Sequence, residues 1–220
     1  MRFHLVTLFK EACEPYLSAS ILGRARKNKR IGVSYQNPRD FVDNRWGKVD
    51  ERPYGGGPGM VMTALPVAKA VAKALGAKKS AAKTAEIIWF SPSGKPFTNK
   101  DADKLAKAGD VVLVCGRYEG IDERAFKILK TMGRVKVFSV GSATLTGGEV
   151  PALAIIDAVT RRIPGVLGKD ESVEERRVAS SEVYTRPESL QWKGKKYRVP
   201  KVLQSGHQAK IDEWRVKRGK

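Results

Sequence analysis

The sequence predicts an α/β fold built on a mostly parallel sheet, followed by a small, mainly helical C-terminal domain. Between Glu86 and Arg162, apolar runs of strand length alternate with stretches of helical period, the pattern of strand–helix–strand units. Val111-Val112-Leu113-Val114 is apolar without a break, as a strand covered on both faces must be. After Gly168 the chain becomes charged and barely apolar, which marks a change of domain.

Each element follows in order. Phe3 to Leu8 reads as a buried strand, the stretch from about Glu11 to Arg26 as a helix, and Ile31 to Tyr35 as a short strand. Gln36 to Met60 is polar and aperiodic, with five glycines and three prolines, and is expected to be a long loop of functional kind. Thr63 can cap a helix that carries Pro66 in its first turn and stops at Gly76. Ala77 to Ala85 is a basic, low-complexity connector. Glu86 to Phe90 is a strand, and Thr98 with Asp101 forms a capping box for a helix ending near Gly109. The Val111–Val114 strand, a helix from about Ile121 to Lys130 and a strand from Val135 to Ser139 come next. A further helix from about Val150 to Arg162 is ended by Pro164. The expected organisation is an α/β domain over 1–168, a charged linker over 169–183 and a basic domain over 184–220, with a helix from about Gln208 to Arg218.

Composition narrows the function. The 220 residues carry 42 Lys and Arg against 23 Asp and Glu, a formal charge of +19. Such self-repulsion is usually carried for a polyanionic partner, and nucleic acid is the expected one. Arg24, Arg26, Lys27, Lys29 and Arg30 form one cluster, and Lys193, Lys195, Lys196, Arg198 and Lys201 another. Two cysteines, Cys13 and Cys115, exclude a disulfide scaffold and fit a reducing cytoplasm. No stretch reaches the ~20 apolar residues of a membrane span.

Several familiar sites are missing. The two histidines belong to no zinc-ligand pattern, and no metal site is expected. There is no phosphate loop, no dinucleotide-binding glycine fingerprint and no G-x-S-x-G elbow. Three loops that each follow a predicted strand remain: Ser91-Pro92-Ser93-Gly94, Cys115 to Gly120 (CGRYEG), and Val140 to Gly148 (VGSATLTGG). In an open α/β sheet, ligands sit outside the carboxyl ends of the strands. Small residues there let backbone amides and carbonyls approach a purine edge. The Asp50 to Met60 segment, DERPYGGGPGM, adds four glycines and two prolines in eleven residues, with Tyr54 and Met60 to anchor it.

DERPYGGGPGM, CGRYEGIDER, LTGGE and IPGVLG stand in this order, and SGHQAKIDEWR follows them. Together they resemble bacterial tRNA (guanine-N1)-methyltransferases of the TrmD type, in the knotted SPOUT class, over nearly the whole chain. The resemblance implies a deep trefoil knot, a homodimer, S-adenosylmethionine as methyl donor, and the tRNA guanine 3′ to the anticodon as acceptor. It implies that the three loops hold S-adenosylmethionine, through Trp89, Phe90, Ser91, Pro92 and Gly94 in the first. Gly116 and Glu119 would act in the second, and Val140, Gly141, Ser142, Ala143, Thr144 and Leu145 with Gly147, Gly148 and Pro151 in the third. Asp50 with Tyr54, Gly57, Pro58 and Gly59 matches the segment that faces the tRNA. One departure lies in the third loop, where the family usually has Gly-Asp-Tyr-Val-Leu in place of Gly141-Ser142-Ala143-Thr144-Leu145.

Methylation at guanine N1 removes a proton and pushes charge toward O6, so a carboxylate and an arginine suit the task. Arg161 matches the family's arginine. The family's basic aspartate lies fifteen residues further on, where this chain has Arg176, and an arginine cannot act as a base. Asp170, Glu171, Glu174 and Glu175 precede that position in the linker, and Glu175, the nearest, is the expected base. Arg176 and the altered Ser142-Ala143-Thr144 support a second reading, a non-catalytic RNA-binding relative. The intact glycine loops argue against it. A third reading is a methyltransferase of the same class acting on another RNA nucleotide.

Overall fold

The computed structural model describes residues 1–43, 45–76, 85–167 and 181–218. Its first strands are β1 (Arg2–Val6) and β2 (Gly32–Gln36), then a short antiparallel pair, β3 (Asp50–Glu51) and β4 (Val61–Met62). They are followed by β5 (Glu86–Pro96), β6 (Asp110–Val114) and β7 (Arg134–Ser139). Five of these strands form one sheet in the order β2-β1-β6-β5-β7, and every neighbouring pair is parallel. The α/β fold class and the mostly parallel sheet follow the sequence.

Alternation along the strands sorts the core into two layers. Phe3, Leu5, Ile88, Val111 and Leu113 face one side, where they meet α1 (Glu14–Leu17), α2 (Ser20–Lys27), α4 (Asn99–Leu105) and α6 (Glu149–Thr160). Val6, Ile87, Val112 and Val114 face the other and are covered by α3 (Ala64–Leu75) and α5 (Glu123–Met132). With both faces covered, the open ground for a ligand lies at the strand ends.

Local chemistry explains most boundaries. Thr98 accepts a hydrogen bond from the Asp101 amide while Asp101 accepts from the Thr98 amide, completing the expected capping box of α4. Asp122 caps α5 by accepting from the Arg124 amide at 2.9 Å. Gly76, at φ +71, ends α3. Thr63 precedes α3 as expected, but its hydroxyl donates to the Val49 carbonyl (3.1 Å) and makes no cap bond.

The expected single helix from Glu11 to Arg26 is broken. The structure has a 3-10 turn over Lys10–Ala12, then α1, then α2, with Ala19 extended and Ser20 at φ +47. Gly23 lets the α1–α2 turn fold back, because a Cβ there would collide with the Ser18 carbonyl. The break brings Glu14 among three donors: Tyr35 Oη at 2.6 Å, Arg26 Nη1 at 2.7 Å and Ser18 Oγ at 2.8 Å. The Gln36–Met60 loop also contains more order than expected, namely a 3-10 turn at Pro38–Phe41 and the strand β3. The connector at 77–84 lies outside the described residues.

Backbone contacts divide the chain into Met1–Leu167 and Gly168–Lys220. In the second unit, a strand pair joins the helices, which the sequence pattern does not announce. Besides α7 (Lys201–Gln204) and α8 (Gln208–Lys217) it has an antiparallel hairpin of β8 (Ser189–Trp192) and β9 (Lys195–Arg198). Period-2 apolar alternation is weak there, since charged residues fill β9. Most of the linker lies outside the described residues.

The hydrogen bond from Tyr35, with those from Arg26 and Ser18, lowers the Glu14 carboxyl from 4.5 to about 2. This contribution to stability is present above about pH 4.5 and is lost as pH falls toward 2. Its size is modest because the side chain is 41% exposed. Glu14→Gln should therefore lower the melting temperature at pH 7 and reduce the further fall between pH 4.5 and pH 2, as followed by circular dichroism. An unchanged acid slope would remove Glu14 from the account.

Candidate active site at the carboxyl edge of the sheet

The three candidate loops lie toward the carboxyl ends of the adjacent strands β6, β5 and β7, and they converge on one cavity of about 270 Å³. The first is a bulge inside a strand. β5 does not end at Phe90 but runs on to Pro96, and its pairing with β7 jumps from Phe90↔Phe138 to Lys95↔Phe138. The four residues between are thrown outward, and Phe90, Ser91 and Pro92 reach the cavity. Gly94 closes the bulge, where a Cβ would lie 2.7 Å from the Phe138 carbonyl carbon. Trp89 and Gly94 do not line the cavity. Trp89 points to the opposite face by simple alternation and meets the Phe126 ring edge-on at 5.5 Å.

The second loop supplies Gly116 and Glu119 to the lining, together with Arg117, Tyr118 and Gly120. It is stitched to the end of the glycine-rich segment. The Glu119 amide donates to Met60 O (3.0 Å), the Met62 amide to Gly120 O (2.9 Å) and the Asp122 amide to Met62 O (2.9 Å). Gly59, at φ +79, lies so close that a Cβ would sit 2.6 Å from a Glu119 carboxylate oxygen. The glycine segment is thus held beside the cavity. Asp50 pairs with Met62 in β3–β4, while Gly57 and Pro58 are exposed and Tyr54 is fully so.

The third loop crosses the second at very short range. The Gly148 amide donates to Gly116 O at 2.9 Å, and a Cβ on Gly148 would stand 2.6 Å from Cys115 Cα. A Cβ on Gly147 would meet Arg117 Nε at 2.5 Å and Glu149 Oε2 at 2.7 Å. Val140, Ala143, Thr144, Leu145, Gly147, Gly148 and Pro151 line the cavity. Gly141, at φ +82, and Ser142 lie on the outer turn and do not. The altered Ser142-Ala143-Thr144 segment therefore presents two small side chains to the cavity in place of the family's larger ring.

Beneath the loops lies a buried charge. Glu149 opens α6 at 3% exposure. Its Oε1 accepts from Thr7 Oγ1 at 2.7 Å, and its Oε2 lies 2.9 Å from Arg117 Nε, off the angle of a hydrogen bond. The Arg117 guanidinium also covers the Phe9 ring at 4.6 Å. The helix N-terminus favours the carboxylate, and the cluster ties β1, the second loop and the third loop together. Nothing in the sequence singles out Glu149, Thr7 or Arg117 for this cluster, although Arg117 lies in CGRYEGIDER and Glu149 in LTGGE. Burial, with a contribution from Glu149, pushes the Cys13 thiol up to about 11 and the Cys115 thiol well above its usual value. Neither is a thiolate nucleophile at neutral pH.

Arg161 is not brought to this cavity. It caps the far end of α6, ten residues beyond Pro151, which at the helical rise is about 15 Å away. Glu175, with Asp170, Glu171, Glu174 and Arg176, lies outside the described residues. Among the described residues, no group of three or more His, Cys, Asp or Glu is placed to hold a metal, and no helix is long and apolar enough to cross a membrane.

Comparison with known proteins points the same way as the motifs. Residues 1–220 match the family described as tRNA (Guanine-1)-methyltransferase TrmD. The chain is 41% identical over 220 residues to the tRNA (guanine-N(1)-)-methyltransferase of Neisseria meningitidis serogroup C (strain 053442), covering 98% of this chain and 84% of that protein. It is 40% identical over 219 residues to the enzyme of the same name from Clostridioides difficile (strain 630), covering 98% of this chain and 90% of that one. A similar enzyme from Haemophilus influenzae (strain PittGG) is 42% identical over 217 residues, 97% of this chain and 84% of its own length.

The crossing of the loops makes a direct prediction. Gly148→Ala must push Cys115 and Gly116 backbone aside and should cost about 1–3 kcal/mol, lowering the melting temperature by several degrees. Gly109→Ala, where a Cβ meets nothing within 4 Å, should change it little. Equal melting temperatures in the two variants would show that the crossing carries no strain.

Proposed function

The chain belongs to the TrmD family of tRNA (guanine-1)-methyltransferases, and from that premise we propose its reaction. It transfers a methyl group from S-adenosylmethionine to N1 of the guanine 3′ to the anticodon of tRNA. The observation that carries this reading is the convergence of the three loops on one cavity, with the end of the glycine segment bonded beside it. Its volume is close to the lower end of the roughly 300–1,000 Å³ usual for ligand pockets. Apolar Phe90, Val140 and Leu145 suit a purine face, and backbone at Gly116, Gly147 and Gly148 suits its edge. Arg117 and Glu119 offer opposite charges to a zwitterionic amino-acid group. In this reading the chain also forms the trefoil knot of its class, and the close Gly148–Cys115 crossing fits a threaded chain.

S-adenosylmethionine, when bound, supplies an electrophilic methyl group on a sulfonium. The chain's own residues then have three tasks. Asp50 and the glycine segment, open to solvent at Tyr54, Gly57, Pro58 and Gly59, receive the guanine and anticodon stem. Glu175 takes the N1 proton, and the Arg161 fork faces the charge that develops toward O6. Since α6 separates Arg161 from its own cavity by about 15 Å, the arginine serves the cavity of a second copy. The working unit is a homodimer in the cytoplasm, with the basic unit over 184–220 gripping the tRNA.

Two measurements test this. Transcripts with guanine after the anticodon should accept a labelled methyl group, and those with another base there should not. Glu175→Gln should slow transfer by roughly 10²–10⁴-fold with little change in tRNA affinity. Methylation that ignores the base at that position would favour another RNA nucleotide, and a wild type that transfers nothing would favour the non-catalytic reading. Complementation tests the shared site. Gly116→Trp fills the cavity and Arg161→Ala removes the arginine, so each alone should be inactive. Mixed and re-equilibrated, they should regain up to about a quarter of wild-type turnover, on the arithmetic that one heterodimer cavity is intact. No recovery would return Arg161 to its own chain.

A further inference from the structure

The hairpin of the second unit presents a surface that the methyl-transfer site does not use. Its strands pair with Leu190 opposite Tyr197 and Trp192 opposite Lys195. Lys193 and Gly194, at φ +47 and +76, form the tight two-residue turn between them. Side chains alternate along each strand, so Leu190, Trp192, Lys195 and Tyr197 share one face. Leu190, Trp192 and Tyr197 are 59%, 66% and 54% exposed. Trp214 of the same unit is engaged in contrast, against the Tyr184 ring at 6.2 Å and the Arg218 guanidinium at 5.4 Å.

Charge says what the open face receives. Lys193, Lys195, Lys196, Arg198 and Lys201 stand within nine residues, and no Asp or Glu occurs from Ser189 to Lys201. Three acids of the unit face cations elsewhere: Glu182 with Arg218, Asp212 with Arg215 and Glu213 with Lys217. Glu188 alone sits at the foot of the hairpin. Lys193 Nζ lies 5.9 Å from the Trp192 ring centre, so ring and ammonium form one composite surface. Trp192 and Tyr197 are diagonal neighbours across the ladder, about 7–8 Å apart, a spacing that suits two successive bases. An acid-poor cationic rim around exposed rings matches unpaired nucleotides better than a protein surface.

We propose that this face is a stacking platform for unpaired RNA, in which Trp192 and Tyr197 take two bases while Lys195 on the same face and Lys193 at the turn take the phosphates. It deepens the reading of the chain as a tRNA enzyme and rests on it for the source of the RNA. The platform discriminates unpaired bases from duplex, because bases stacked inside a duplex have no free face to offer a ring.

The test uses the full chain, an unstructured oligouridylate, and a blunt RNA duplex of the same length. The oligouridylate should quench indole fluorescence, and Trp192→Phe should remove most of that quench. Trp192→Leu should weaken oligouridylate binding by roughly 5- to 100-fold, the usual worth of a stacked base. Trp192→Phe keeps an aromatic ring and should retain most of the affinity. Duplex binding should stay unchanged in both variants. Equal losses in Trp192→Leu and Trp192→Phe, a preference of the wild type for duplex, or full affinity in Trp192→Leu would each overturn the platform. So would a drop in assembly mass in Trp192→Leu with RNA affinity kept, because the face would then be covered by a second copy. Methyl transfer is measured beside these. Transfer to tRNA by the wild type with no effect of Trp192→Leu on oligouridylate binding sinks the platform alone. Intact quenching with no transfer sinks the enzymatic reading alone.

Discussion

The close passage of Gly148 across the backbone of Cys115 and Gly116 governs the carboxyl edge of the sheet. Two chain segments meet there at a distance that excludes even a methyl group. That contact brings the N-terminus of α6 against the loop after β6, and it leaves Glu149 buried between them. A buried carboxylate is costly unless it is paired and bonded. Thr7 and Arg117 meet that demand from two different strands' loops. Closure of the loops and neutralisation of Glu149 are therefore one event, and the cavity is its by-product.

The same arrangement limits the chemistry. Both cysteines lie close enough to Glu149 for its charge to oppose thiolate formation, in addition to burial. Reactive cysteine chemistry is thereby suppressed, and the cavity is left with glycine backbone, apolar side chains and one pair of opposite charges. Such a lining binds and orients. Arg161, which the proposed reaction needs opposite the developing charge, does not belong to the lining. The α6 helix makes this separation geometric, because its first turn belongs to the cavity and its last residue is followed by Arg161.

Charge is divided between the two units in different ways. In the first, several carboxylates are consumed locally: Glu14 by Arg26, Asp110 by Arg2, Asp101 by Lys95. In the hairpin of the second, cations accumulate without local acids. A strand pair with charged residues along one strand and rings on an open face gains little from folding alone. Its composition makes sense chiefly as a surface for another molecule, whereas the core of the first unit is complete in itself.

The sequence by itself determined the two-sided parallel sheet, since an unbroken apolar strand such as Val111–Val114 can be satisfied only by helices on both faces. It also determined the capping box of α4 and the stop at Gly76, which depend on residues a few positions apart. The three loops and the glycine segment were legible because glycine clusters at strand ends leave a local signature. Other features were decided by contacts between distant residues. The Glu11–Arg26 stretch has helical period throughout, yet the helix breaks at Ala19 and Ser20, and Glu14 meets Tyr35, far away in sequence. The bulge at Ser91–Gly94 arises from the register of β5 against β7, which no single segment encodes. Trp89 and Phe90 are neighbours in sequence, but only sheet geometry sends one into the far core and the other to the cavity. Glu149 reads as an ordinary helix-start acid until Thr7 and Arg117 close over it. Local preferences act over a turn or two of chain, whereas burial and charge pairing are settled where distant segments meet.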